Sequence, residues 1–475
     1  MPALVFRVAK SSPELEAGLD RVRHDFDVPT AFPADVEAAA DAAAKHAIAP
    51  GADRRDARDV PFVTIDPPGT RDLDQAYFAA RQGDGFLVQY AIADVAAFVD
   101  RGDATDTEAF KRGVTRYLPD RRAPLYPDVV GEGAASLLAD SDRPALLWTI
   151  DLHPDGSTES WHVERAVVRN REALTYEQVQ QSLGRCDASE PLQLLEVIGK
   201  VRQEQERARG GVSIAVPAQQ IHADGNQYDL EYETPLPSEG WNAQISLLTG
   251  MCAASTMMDG GVGLLRTLPP PNDGTVARLK RTAAALGIAW PDGKSYADVV
   301  RDLVPDDPKI AAFLTQAVVL FRGAGYSIVE QKGGDAPVHG AINAPYAHVT
   351  APLRRLADRF ANEIVLALGA GREPPSWARD ALPQLPEVMG QALRSDATIE
   401  RAVVDLVESL VLTSHVGEVF HGAVVDVDQE RATIQIAEPA VIASLAPSGL
   451  TLGAEVAVRL TAATPEQRRV EFVLA

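Results

Sequence analysis

Cysteine is nearly absent: Cys186 and Cys252 stand far apart and match no metal-ligand or disulfide spacing. A disulfide-stapled fold is therefore excluded, and so is a zinc module built on cysteine pairs. Long apolar runs are missing as well. None approaches the roughly 18 residues that span a bilayer, so no membrane partner is expected. The opening segment MPALVFRVAKSSPELEAGLD lacks a basic region followed by a long apolar stretch. No secretory signal is read there, and a cytoplasmic, reducing setting is expected. Basic charge is also in deficit, with 45 Lys and Arg against 67 Asp and Glu, a net charge of −22. That balance argues against coating nucleic acid with the whole surface, but it is compatible with a local basic channel inside an acidic shell.

What is present is ordinary globular material: 475 residues, 46% hydrophobic and 24% charged. Such a chain has room for about two to four domains. Residues 1–58 read as a helical N-terminal module. Ser12 is placed to cap a helix with Pro13 in its first turn and Leu15, Leu19 and Val22 on one face. Residues 59–413 form the expected main domain. Strands dominate from Phe62 to about Gly210, as in GFLVQYAIADVAAFV and ALLWTIDLHPDGS, and helices dominate from Trp241, as in KIAAFLTQAVVLFRGAGYS and LRRLADRFANEIVLALG. In residues 414–475 four short runs, EVFHGAVVDVD, RATIQIA, EVAVRLTAA and RVEFVLA, have the rhythm of a small OB-type β-barrel. The expected class is α+β: a mixed sheet with packed helices, a helical N-terminal module and a C-terminal OB barrel. A monomer is expected.

The segment FVTIDPPGTRDLDQAYF, residues 62–78, crowds Asp66, Asp72 and Asp74 between two apolar runs. Asp72 and Asp74, two positions apart in extended chain, point to one side. Converging carboxylates repel and raise one another's pKa, a penalty that a divalent cation removes. Oxygen-only ligands favour Mg²⁺ or Mn²⁺, which can activate water for in-line attack at phosphorus. Acids that cap turns and pair with Arg71 would leave the same local pattern, and the segment by itself does not choose between the two.

Further along the chain come YAIADVAAFV, RGVTRYLPDRRAPLYP, SLLADSDRPAL, ALTYE, RARGGVSI, YAHVTAPLRRLADRF and IERAVVD. Together with TIDPPGTRDLDQA, and in this order, they resemble the signatures of the RNase II family (the RNB catalytic domain) over roughly residues 60–410. The resemblance implies a 3′→5′ exoribonuclease that hydrolyses single-stranded RNA to nucleoside 5′-monophosphates. Asp66, Asp72 and Asp74 then fall on three of four metal-site or catalytic aspartates, with Asp72 and Asp74 joining Arg354 in the catalytic set. Tyr117 falls on a tyrosine that stacks near the 3′-terminal nucleotides. Arg354 falls on an arginine at the scissile phosphate, Arg355 beside it on an RNA contact, and Glu400 on an acid near the terminal nucleotide. Without the resemblance, Tyr117 reads equally as core packing, Arg354–Arg355 as a solvated helix start, and Glu400 as paired within its helix.

The chain departs from that pattern in places. Gln75 stands where the family has its fourth aspartate; its carbonyl oxygen can coordinate a cation but adds no charge. Ala351 replaces a serine, Asn362 a histidine, and His339 is displaced by one position. The family commonly carries two cold-shock barrels before the catalytic domain, whereas residues 1–58 here read as helices. A nucleic-acid role for them would rest on Arg21, Arg23, His24, Arg54 and Arg55. The C-terminal barrel resembles an S1-type RNA-binding domain with a poor stacking platform, Phe420 and Phe472, and with His421, Arg431 and Arg459 as candidate phosphate contacts. The competing expectations are a catalytically weakened relative that binds RNA as a regulator, and an adaptor whose acids hold a structural cation.

Overall fold

The computed structural model describes residues 12–475 except 47–48, 52, 215–217, 225–226, 234, 305–306, 334–336, 428–429, 437–438, 440 and 447–448. Helices α1 (Pro13–Asp25) and α2 (Ala34–Ala44) come first. Ser12 caps α1 as its sequence predicts, its hydroxyl accepting from the Leu15 N–H at 3.2 Å. Strands β1 (Arg55–Ile65), β2 (Gln75–Gln82) and β3 (Gly85–Ala93) follow. After α3 (Ala104–Arg112) come the two-residue strands β4 (Arg116–Tyr117) and β5 (Arg122–Ala123), then β6 (Asp142–Leu152) and β7 (Thr158–Leu174).

The mixed sheet closes on itself. β1, β2, β3, β6 and β7 form a barrel in that order. Its pairs are antiparallel except β1 with β7, which run parallel and complete the circle. β3 is buried on both faces, at all but one of its nine positions, and Phe62, Tyr77, Tyr90 and Trp148 are fully buried.

The stretch before Gly210 is not all strand. α4 (Tyr176–Arg185) opens on a Thr175–Gln178 capping box, and α5 (Glu190–Ala208) buries Leu192, Leu195, Ile198 and Arg202 along one helical stripe. The expected strand region ends with β7 at Leu174, where its β-branched run gives way to these caps. A hairpin of β8 (Ala218–Asp224) and β9 (Gln227–Glu233) leads to α6 (Pro237–Gly260) and β10 (Gly263–Thr267). Helices α7 (Asp273–Ala285), α8 (Tyr296–Arg301) and α9 (Pro308–Ala317) precede β11 (Gly325–Val329). The run KIAAFLTQAVVLFRGAGYS, expected as one helix, is therefore helix and strand. Gly323 turns the chain at φ +88°, and β11 pairs antiparallel with β10.

Helices α10 (Leu356–Gly369), α11 (Ser376–Ala381) and α12 (Leu385–Leu412) complete the main domain. Among the described residues the tail holds five strands where four were expected: β12 (Val419–Val427), β13 (Ala432–Ile436), β14 (Val441–Leu445), β15 (Glu455–Thr464) and β16 (Arg469–Leu474). They are ordered β14-β13-β12-β15-β16. The additional strand, VIASL, is too short to show an alternating pattern against its flanks.

The N-terminal helices pack on the rest of the chain. Leu15, Leu19 and Val22 join Val403, Leu406 and Val407 of α12 and the core of the C-terminal barrel in one apolar cluster. Gly18 makes this possible, since a Cβ there would lie 2.6 Å from Leu406. Burying side chains such as Leu19 contributes about 1.5–3 kcal/mol each. Of the N-terminal basic residues, Arg23 is buried and bridges Asp20 and Asp120. Arg54 pairs with the buried Asp94 at 2.8 Å, and Arg55 with Glu164 at 3.1 Å.

Candidate active site

Asp66 directly follows β1, and its N–H donates to the Leu174 carbonyl at the end of the neighbouring β7. The chain then turns through Pro67–Thr70, with the Thr70 hydroxyl donating to the Pro67 carbonyl at 2.8 Å and Gly69 at φ +81°. A buried Ser136 clasps the returning strand: its hydroxyl donates to the Arg71 carbonyl at 2.6 Å and accepts from the Leu73 N–H at 3.0 Å. This loop brings Asp66 back to Asp72 and Asp74 over the mouth of the barrel. Gln75 begins β2 directly after Asp74.

Two distant segments meet the acids. The chain at 113–117 runs beside 354–356: the Thr115 N–H donates to the Arg354 carbonyl and the Leu356 N–H to the Gly113 carbonyl, both at 3.0 Å. That stitching sets Tyr117 and Arg354 next to each other over the acidic loop. The Tyr117 hydroxyl donates to Asp72 Oδ2 at 2.6 Å, while the residue as a whole is 54% exposed. Asp72 Oδ1 lies 3.0 Å from Arg122. The nearly buried Asp74 accepts from the Leu353 N–H at 2.7 Å and lies 3.2 Å from Arg354 Nε.

Burial sets the electrostatics. Asp66 is pushed up to about 6 by burial, with Arg354 pulling it down and repulsion from Asp72 adding to the rise. Burial also raises Asp74 well above the carboxylate range, partly offset by Arg354 and the Leu353 N–H. The loop therefore holds more negative charge than its surroundings solvate.

Gln75 has protein partners at both ends of its amide. Its Nε2 donates to the Thr350 carbonyl, and its Oε1 accepts from the Tyr90 hydroxyl at 3.0 Å. Arg355 is forked onto Asp358, at 3.0 and 2.7 Å, and Asp358 in turn accepts from the Ala351 N–H at 2.8 Å. Glu400 sits half-buried in α12. The motifs indicated Asp66, Asp72, Asp74, Tyr117 and Arg354, which the fold brings together. Sequence reasoning missed Ser136, Arg122, Thr350 and the Leu353 N–H. Arg122 was visible within the YLPDRRAP run; the others act through groups too common to stand out.

The description "RNB domain" matches residues 54–369, and "RNase II-type exonuclease C-terminal S1 domain" matches residues 418–475. The chain belongs to the RNB family. This RNB chain is 26% identical over 443 residues to ribonuclease R of Thermotoga maritima, which covers 88% of the chain and 62% of that protein. It spans 34% to 62% of the length of the curated relatives compared. The structure of Mycoplasma genitalium RNase R in complex with ribose-methylated single-stranded RNA superposes with a TM-score of 0.85 at 18% identity, covering 98% of this chain and 78% of that one. Yeast Ssd1, described as a pseudonuclease, superposes with a TM-score of 0.69 at 16% identity, covering 95% and 58%. The RNB fold here is the five-stranded barrel with its helices, followed by the S1-like barrel.

The donor set of the RNB site fits a hard divalent cation in type: carboxylate oxygens, buried, and under-compensated in charge. As arranged, Asp72 is held by Tyr117 and Arg122 and Asp74 by Leu353 and Arg354. Among the described residues no three acidic, histidine or cysteine side chains converge on one point. The S1-like barrel keeps Phe420 and Phe472 inside, stacked edge to face at 6.2 Å, so neither ring offers a surface to a base.

Proposed function

We propose that this chain is a 3′→5′ exoribonuclease, hydrolysing single-stranded RNA to nucleoside 5′-monophosphates with Mg²⁺ or Mn²⁺. The observation that carries this reading is the junction of Asp74 with Arg354 at 3.2 Å, inside a loop that also holds Asp66 and Asp72. Hydrolysis at phosphorus builds negative charge on the non-bridging oxygens, and a pre-placed guanidinium stabilises that charge as it develops. Arg354, about half exposed and aimed from a fixed loop, is suited to this. The ring of Tyr117, an exposed residue, offers a stacking face for a terminal base, with its hydroxyl held by Asp72. Asp66, Asp72 and Asp74 are the residues that would hold a divalent cation. When bound, that cation supplies further neutralisation of the phosphate and activation of water.

A second reading has its own observation. Gln75 leaves the loop one carboxylate short of the RNase II pattern, which favours an RNA-binding relative with weakened chemistry. A time course on 5′-labelled single-stranded RNA separates the two. A descending ladder that appears with Mg²⁺ and vanishes with chelator supports the exonuclease. Intact RNA in every lane, with a retained gel shift, supports the regulator.

A further inference from the structure

Gln75 was expected to lend its carbonyl oxygen to a cation. Its surroundings assign it other work. Its Oε1 accepts from the Tyr90 hydroxyl at 3.0 Å, and that hydroxyl lies 2.9 Å from Ser246 Oγ on α6. Its Nε2 donates to the carbonyl of Thr350, a buried residue four positions before Arg354. The three bonds form a relay with one polarity. Because the Tyr90 proton goes to Gln75, Ser246 must donate to Tyr90, and the relay ends on a backbone carbonyl that can only accept. A carboxylate at position 75 could take the Tyr90 proton but would present a lone pair to the Thr350 carbonyl. The amide satisfies both ends at any protonation state of the loop.

The neighbouring residue reaches the same loop. Asp74 Oδ1 accepts from the Leu353 N–H at 2.7 Å. Asp74 and Gln75 thus fasten the 350–354 loop at two points, one on each side of Pro352. Arg354 leaves that loop directly after the second fastening. We propose that Gln75 is a positioning residue for Arg354, holding the arginine loop to the acidic loop through Thr350, rather than a cation ligand. Displacements of about 1 Å in such groups cost on the order of a hundredfold in rate, so one hydrogen-bonded tether is enough to matter. The proposal deepens the exonuclease reading and rests on it for its kinetic consequence, though not for its structural one.

The test uses the full chain with Gln75→Met, which removes both hydrogen bonds, and the near-isosteric Gln75→Glu, which removes only the donor. Three quantities are measured: Mn²⁺ affinity by electron paramagnetic resonance, amide exchange across residues 348–356, and single-turnover rate together with RNA affinity. A positioning role leaves the Mn²⁺ affinity of Gln75→Met within about twofold of the parent and accelerates exchange at 348–356. It also lowers the single-turnover rate about tenfold or more at unchanged RNA affinity, a split that general loosening of the fold would not give. Gln75→Glu behaves in the same direction. The proposal is overturned if Gln75→Met loses about tenfold in Mn²⁺ affinity or Gln75→Glu gains as much with exchange unchanged, the pattern of a ligand. It is overturned equally if both variants match the parent in exchange. Should the parent itself fail to cleave RNA, the exonuclease reading falls, while the Mn²⁺ and exchange measurements still decide the place of Gln75.

Discussion

The backbone N–H of Leu353 donates to the Asp74 carboxylate at 2.7 Å, across 279 positions of sequence. With the Arg354 contact to the same carboxylate, it joins the segments on which the proposed chemistry depends. An amide N–H bound to a carboxylate fixes the rotamer of the acid as well as adding a charge-assisted bond.

Asp74→Asn keeps an oxygen for the Leu353 N–H but removes the charge. The single-turnover rate is expected to fall about a thousandfold while RNA affinity stays within about threefold, checked by quenched-flow kinetics and fluorescence anisotropy. A variant as fast as the parent would remove Asp74 from the chemistry.

Arg354→Lys keeps a positive charge without the guanidinium fork. The expected outcome is a rate loss of about a hundredfold with weak RNA binding preserved at low salt. Retention of full rate would mean that point charge alone suffices there.

Tyr117 separates two contributions. Tyr117→Phe loses the bond to Asp72 and keeps the ring, so single-stranded RNA affinity stays within about twofold of the parent. Tyr117→Ala loses the stacking face, about 1–3 kcal/mol per base, and affinity falls about tenfold or more by anisotropy. Equal losses in both variants would show that the hydroxyl, not the ring, carries the effect.

Glu408 is buried in α12, where its carboxyl accepts from the Ile442 N–H of β14 at 3.2 Å. Burial raises it from 4.5 to about 8, with Arg401 and the Ile442 N–H pulling the other way. The folded state therefore favours the protonated acid. Its stabilising contribution is full below about 4.5 and is lost as pH rises through about 8. Glu408→Gln is expected to flatten this part of the stability–pH curve and to be the more stable form at pH above 8, by on the order of 1–3 kcal/mol in urea titrations. Parallel curves for parent and variant would count against the buried-acid account.

Gly250 lies in α6 where a Cβ would meet the Tyr346 ring at 2.1 Å and the Ala347 carbonyl at 2.6 Å. The Ala347 N–H also donates to the Gly250 carbonyl at 3.0 Å, so backbone and backbone are in close contact. Gly250→Ala should cost about 1–3 kcal/mol of overpacking, read as a lowered denaturation midpoint. It should also slow turnover, because the chain from Tyr346 leads directly into the Arg354 loop.

Much of this was legible in the chain. The cap at Ser12 accepts the bond that its residue type favours. The apolar runs GFLVQYAIADVAAFV and ALLWTIDLHPDGS supply β3 and β6, neighbouring strands of the barrel. The ordered motifs bring out Asp66, Asp72, Asp74, Tyr117 and Arg354, because charged and aromatic groups in turn-rich segments stand out from a packed core.

Other features had no local signal. Closure of the barrel depends on the parallel pairing of β1 with β7, a match between segments about a hundred residues apart that no window of sequence displays. Whether KIAAFLTQAVVLFRGAGYS ends as helix or strand was settled by the availability of β10 as a partner. Arg23, Arg54 and Arg55 look like free surface charge in the sequence, and only folding delivers the acids that engage them. By itself, the sequence determined which chemistry was available: three carboxylates, an arginine and a tyrosine, with a glutamine in place of a further acid. The tertiary structure alone decided that this glutamine faces a tyrosine hydroxyl and a backbone carbonyl. Side-chain type sets what a residue can donate or accept, whereas its partners are set by chain segments that meet only when the core is packed.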